Sequence, residues 1–221
     1  MKGIFHIHTK NSFDAHIPPS EIVKYIQSIG LDFAAITDHE TIKGALECRD
    51  IARYVPTIIV GAEYWTDKGD IIGLFLEKDV TSKKSDEIIR QIKAQGGIVV
   101  LPHPCRSHKL DSKLISQVDV IEVFNARGSN EENNSALELA KKYNKPMLAG
   151  SDAHFLEELS LTEVTILGTD LKSAILRGEL KITKQEQSTT SCRVRTGLIR
   201  LSKQKDPRII IGWIKKLLEK M

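Results

Sequence analysis

Residues 5 to 16 read FHIHTKNSFDAH, with His6 and His8 at the end of the first apolar run and Asp14 six residues beyond His8. Residues 4–7 have the content of a strand, and side chains at i and i+2 on a strand point to the same side. His6 and His8 can therefore reach one ion together. Either this is a His-rich surface loop or it opens a metal site, and the order of the later elements separates the two readings.

Apolar runs alternate with helix-period segments. Strands are expected at 4–7, 33–37, 57–60, 98–101, 118–124 and 147–149, and helices at 19–28, 43–53, 85–95, 134–143 and 171–176. A hairpin-like pair at 63–66 and 70–76 surrounds Asp67-Lys68-Gly69. This βαβα alternation predicts an α/β fold with a parallel sheet covered by helices, open or closed into a barrel. No internal repeat or low-complexity segment interrupts it.

Ligand-type residues fall at the ends of these strands: His6-Ile7-His8, Thr37-Asp38-His39, Gly61-Ala62-Glu63, Pro102-His103-Pro104 and Ser151-Asp152-Ala153-His154. The C-terminal strand ends of such a sheet lie on one face, where loops build sites. Five of the seven histidines sit there, and His16 and His108 do not. A single strand-end histidine is more often packed than ligating. Five separate segments delivering imidazole and carboxylate to one face favour a metal site. These donors suit zinc, manganese or iron. Their number exceeds the needs of one ion, which points to a cluster of two or three. Glu63, after a Gly-Ala pair that permits close approach, is the expected bridging carboxylate.

Composition narrows the setting. The chain has 221 residues, 41% hydrophobic and only 5% aromatic, so aliphatic side chains must fill the core. A formal net charge of +3 is too mild to argue for nucleic acid. Cys48, Cys105 and Cys192 are far apart with no CxxC, so neither a disulfide framework nor a zinc ribbon is expected. The chain enters its first strand directly after Met1-Lys2-Gly3 and has no membrane-length apolar run, so a cytoplasmic protein without a membrane role is expected.

The segments FHIHTKNSFDA, AITDHETIKGA, VGAEYW, IIGLFL, VVLPHP, IEVFNAR and AGSDAH together resemble the PHP (polymerase and histidinol phosphatase) superfamily of metal-dependent phosphoesterases. They run in that family's order from residue 4 to 154. The resemblance implies a distorted (β/α)7 TIM-like barrel with up to three divalent ions at the strand ends. It implies His6, His8, Glu63 and Asp152 on the first ion, Glu63 and His103 on the second, and Asp14, His39 and His154 on the third. One position departs from the pattern: where family members often carry a histidine, this chain has Asp70, either a replacement ligand or a residue of the turn.

In such a site an activated water attacks phosphorus and no protein nucleophile is needed. Zinc, manganese or iron, with magnesium also possible, would serve. Asp38 is expected behind the ligands, orienting a histidine or a water. Arg127 and Arg106 fall on the same face and are expected phosphate clamps, since a guanidinium fork matches phosphate oxygens. Ser12 is expected to bond phosphate or stabilise its loop.

The expected substrate is a small phosphorylated molecule. A nuclease is the alternative, and a non-catalytic metal-binding module a further one. Residues 1–180 are read as the phosphoesterase domain and residues 181–221 as a basic C-terminal extension. From residue 186 onward there are nine Lys and Arg against three acids. The extension ends in an amphipathic helix that opens at Asp206-Pro207 and is expected to dock on the barrel, which leaves nucleic acid the less favoured partner. The sequence leaves the oligomeric state undetermined.

Overall fold

The computed structural model describes residues 1–106 and 108–204, and the helix expected after Asp206 lies outside them. Seven strands form the barrel: β1 (Lys2–Ile7), β2 (Phe33–Ile36), β3 (Thr57–Thr66), β4 (Gly69–Leu74), β5 (Ile98–Leu101), β6 (Val120–Asn125) and β7 (Met147–Gly150). All pairings are parallel except those of β4, which runs antiparallel to both β3 and β5. The hairpin at residues 67–69 produces this reversal, and it distorts the barrel. Closure comes from the chain after β7 running along β1. Ser151 donates its amide to Phe5, Ala153 to His6, and His8 in turn to Ala153, at 2.9–3.1 Å.

Helices α1 (Pro19–Ser28), α2 (Lys43–Ala52), α3 (Ser85–Ala94), α4 (Ser112–Gln117) and α5 (Asn130–Lys142) cover the outside. Ile22, Val23 and Ile26 of α1 and Ile88, Ile89 and Ile92 of α3 are their buried stripes. The α5 helix starts four residues earlier than its apolar spacing predicts, because Ser129 and Glu132 close a capping box ahead of it. Two apolar layers result. The outer one joins helices to strands, and the inner one fills the barrel with Phe5, Phe33, Ile59, Ile72, Val100 and Leu148.

Beyond the barrel, β8 (Thr162–Ile166) pairs antiparallel with the first residues of β1, and β9 (Leu180–Gln185) pairs with β8. Helices α6 (Leu171–Arg177) and α7 (Thr190–Gln204) complete the described chain. The division drawn at 180/181 thus falls inside β9, which continues the sheet past it. No helix among the described residues is long and apolar enough to cross a membrane.

Candidate metal centre

The strand register aims the donors. On β3, Ile59 belongs to the inner layer, and Glu63 follows four residues later on the same side. On β4, Ile72 and Leu74 are inner residues, so Asp70 faces inward at the mouth. β1 departs from simple alternation. Its register shifts between Ile4 and Ile7, and His6 takes a φ of 65°. This bulge turns Phe5 and His6 both into the barrel and restores Ile7 to the outer layer. Without it His6 and His8 would point at the helices. His103 and Asp152 also have positive φ, at 27° and 49°. Such backbone costs about 1–3 kcal/mol per residue and gathers at functional sites.

The side chains converge on Glu63. Its Oε2 lies 3.2 Å from His6 Nε2 and 3.4 Å from both His8 Nε2 and His39 Nδ1, while Oε1 is 3.0 Å from His103 Nε2. Asp152 Oδ1 stands 3.4 Å from His8 Nε2 and 3.7 Å from His6 Nε2. Asp14 Oδ2 is 3.2 Å from His39 Nε2 and 3.3 Å from His154 Nε2. Three donor groups follow, each with ligand atoms within 4.8 Å of one another: His6, His8 and Asp152; His6, Glu63 and His103; and His8, Asp14, His39 and His154.

These residues fit divalent metal. Two ligand atoms each about 2.1 Å from a shared ion stand roughly 3–3.5 Å apart, which is the spacing between most of these donors and is long for hydrogen bonds. His8 Nε2 and Asp14 Oδ1 are buried with no hydrogen-bond partner among the described residues. A buried polar atom left unsatisfied is costly, and an ion satisfies both. The backing groups complete the pattern. Glu122 Oε1 accepts from His6 Nδ1 at 2.8 Å, the Asp152 carbonyl accepts from His154 Nδ1 at 2.8 Å, and Ser12 Oγ lies 3.2 Å from His8 Nδ1. Each holds the proton on Nδ1 and leaves Nε2 facing the cluster. Glu122→Gln is expected to weaken metal affinity about 10- to 100-fold with the fold retained, read by metal titration.

Charge distribution within the metal-free cluster is uneven. Burial alone would depress the His39 imidazole, but Glu63 and Asp14 outweigh it and lift it to about 9. Burial and the neighbouring His154 push His8 down to about 3. A ligating imidazole must be neutral, so metal uptake at pH 7 has to strip the His39 proton. Glu122 and Glu63 likewise hold His6 well above its ordinary value despite burial, so metal affinity is expected to rise with pH through the neutral range, with protons released on binding. Calorimetry in buffers of different ionisation enthalpy counts those protons, and a buffer-independent heat would contradict this.

Several expected residues take other places. Asp38 touches no histidine side chain; both its oxygens accept from Thr9, one from the amide and one from the hydroxyl. Burial raises its carboxyl to about 6, and its role is to fix the loop after β1. A Cβ on Gly44 would lie 1.9 Å from Asp38 Oδ2, so only glycine lets α2 approach there. Ser12 is buried, with its hydroxyl 3.2 Å from His8 Nδ1 and accepting from the His39 amide at 3.0 Å. Arg127 is spent on Glu158, to which its Nε and Nη2 each donate at 3.0 Å, and on Thr196 at 2.7 Å. With Nε and Nη2 engaged and the side chain buried, Arg127 is tied into the protein rather than presented at the mouth.

Arg106 remains at the cluster with its side chain 31% exposed, donating to Asp152 Oδ2 at 3.1 Å and Asn125 Oδ1 at 2.7 Å. Asp70 approaches the second donor group: burial and then Glu63 raise its carboxyl to about 6. His108, which the strand-end pattern leaves out, stands beside it with its ring 5.7 Å from that of His103 and its Nε2 donating to the Asp70 carbonyl. Asn125 joins Arg106 to Glu122. Its place at the C-terminal end of β6 is the same signal that marked the other strand ends. His16 stays outside the cluster, on the surface.

Comparison with known proteins bears on the fold. Residues 130–178 match a family described as PHP-associated. An uncharacterized protein of Methanocaldococcus jannaschii, MJ1587, is 36% identical over 143 residues, which are 57% of this chain and 82% of the relative. A two-domain protein from Bacteroides vulgatus, containing a predicted PHP-like metal-dependent phosphoesterase, superposes with a TM-score of 0.71 at 19% identity. The match covers 84% of this chain and 65% of that one, so this chain spans a little under two thirds of that protein's length. A candidate metal-dependent phosphoesterase from Bifidobacterium adolescentis aligns over 69% of this chain and 87% of its own, with a TM-score of 0.58 and 16% identity. Fold and donor set define a barrel of the metal-site class. The chain carries a PHP-associated segment at residues 130–178 and shares the fold of these PHP-like proteins.

Proposed function

We propose that this protein is a phosphoric ester hydrolase acting on a small phosphorylated molecule, with two to three divalent ions of zinc, manganese or iron, or magnesium. The observation that carries the reading is the convergence of three neighbouring donor groups at the strand ends, with Glu63 facing four of their imidazoles, beside the partly exposed guanidinium of Arg106. His6, His8, Glu63 and Asp152 would hold one ion, Glu63 and His103 with Asp70 a second, and Asp14, His39 and His154 a third. Bound there, such ions supply positive charge for phosphoryl oxygens and a water acidic enough to lose its proton near neutral pH.

The chain's own groups do the rest. Glu122, Ser12 and the Asp152 carbonyl fix three imidazole tautomers. Arg106, held in plane by Asp152 and Asn125, presents its exposed part to a phosphate oxygen. The Asp38–Thr9 pair keeps the loop bearing Ser12 and Asp14 in place. The helices covering the barrel's outer layer leave the donors facing the strand-end mouth, which suits a small ester.

Phosphate release from small monoesters that disappears on chelation and returns on reloading tests this reading. Arg106→Gln is expected to raise KM for the ester and the inhibition constant of inorganic phosphate by about tenfold, one charge-assisted hydrogen bond. Unchanged values for both would remove Arg106 from the phosphate site.

A further inference from the structure

Helix α7 lies outside the seven-stranded barrel, yet it reaches the supports of one donor group in particular. Asp14, His39 and His154 belong to the third group and to neither of the others. Residues 196, 200 and 203 of α7 follow at spacings of four and three, so they share one helix face. Each of the three leads to a different one of these ligands.

Lys203 leads to Asp14. Its Nζ donates to the Lys10 carbonyl at 2.9 Å and to the Ser12 and Ala15 carbonyls at 2.7 Å. An ammonium has three N–H donors, so all of them are used, and the loop that bears Asp14 is gathered around the charge. Arg200 leads to His39. Its guanidinium lies over the Phe13 ring at 5.1 Å, its Nε donates to Gln204 at 3.2 Å, and the Phe13 ring stacks on His39 at 4.6 Å. Thr196 leads to His154. It accepts from Arg127 at 2.7 Å, Arg127 pairs with Glu158, and Glu158 accepts from the His154 amide at 2.9 Å.

The other donor groups are backed from within the barrel. Glu122 on β6 accepts from His6 Nδ1 and from the His103 amide, and Arg106 donates to Asp152. The third group alone draws on α7 for all the ligands it does not share. On the metal-centre reading given above, we propose that α7 is a latch for the third ion. Docking of its 196–203 face brings Asp14, His39 and His154 together, and an ion held by them holds α7 in place in return, because coupling between two binding events is reciprocal. Lys203 is a positioning residue, acting through the loop backbone and touching neither ion nor substrate.

The test is calorimetric titration of the metal-stripped full chain with Mn²⁺, checked by metal analysis after gel filtration. The wild type is expected to take up three ions. Lys203→Met keeps most of the side-chain stem and removes the three donors. It is expected to weaken one site by about tenfold or more, the scale of losing a group that supports a ligand, and to leave the other two unchanged. Lys203→Arg restores a cation with several donors and should recover part of the loss. Asp14→Asn weakens the same site directly, so adding Lys203→Met to it should have little further effect. Hydrogen exchange reads the reverse direction: the amides of α7 should slow on filling of the third site in the wild type and not in Asp14→Asn. Three sites of unchanged affinity in Lys203→Met would overturn the proposal, as would a loss shared by all sites or one that adds in full to that of Asp14→Asn. Uptake of two ions, alike in wild type and Lys203→Met, would also overturn it while the phosphoesterase reading stands. A wild type that takes up no Mn²⁺ would end both.

Discussion

Glu63→Gln is expected to deplete the bound metal and lower phosphoester turnover by about a thousandfold or more, the effect of losing several kcal/mol of charge stabilisation. The substitution keeps the side chain's volume and removes its charge. Glu63 is the one carboxylate within 3.4 Å of four imidazoles, those of His6, His8, His39 and His103. Among the described residues no other acid has an oxygen within 4.0 Å of ring nitrogens of both the His6–His8 pair and His103; Glu122 reaches His6 Nδ1 and only the backbone amide of His103. Metal analysis and initial rates on the same preparations check this together. Full metal content with wild-type turnover would remove Glu63 from the centre.

Arg127→Ala is expected to act on stability. The guanidinium pairs with Glu158, which is buried and also receives the amides of His154 and Phe155 and the Ser188 hydroxyl. Removing one partner of a buried pair leaves the other uncompensated, at a cost of about 3–5 kcal/mol. For a chain of this size that lowers the melting temperature by roughly 10 °C. Thermal unfolding and steady-state kinetics distinguish this from a phosphate clamp. A clamp would raise KM with little change in melting temperature, and that outcome would contradict the structural role. The loss should reach the metal centre indirectly, since Glu158 also holds the backbone of His154.

The barrel was legible because its strands are short aliphatic runs separated by amphipathic helices, and its candidate metal donors sit at strand ends where hydrophobic alternation stops. His6, His8, Glu63, His103, Asp152 and His154 all follow that rule. The bulge at His6 was not legible: no glycine marks it, and the direction of both histidines depends on it. Strands β8 and β9 were missed for a different reason. Their sequences, TEVTI and LKITKQ, alternate apolar with polar residues on an edge pair exposed on one side, and the lysines obscured the period. Helix α7 lacks a clean apolar stripe because one face meets a polar mouth through Thr196 and Lys203. The expectations for Arg127 and Arg106 have the same origin. Both lie on the strand-end face, and only Glu158, thirty-one residues downstream, shows that Arg127 is paired within the protein.

The central claim is that these donors hold divalent metal and that the metal-loaded centre hydrolyses phosphoesters. The most direct measurement is phosphate release by metal-stripped protein reloaded separately with Mn²⁺, Zn²⁺, Fe²⁺ and Mg²⁺. The assay uses phosphomonoesters, bisphosphates and short end-labelled oligonucleotides, with Asp152→Ala as control. The account predicts metal-dependent release from a small ester that the variant does not show. Stoichiometric metal binding with no release from any of these, or equal release by Asp152→Ala, would contradict it.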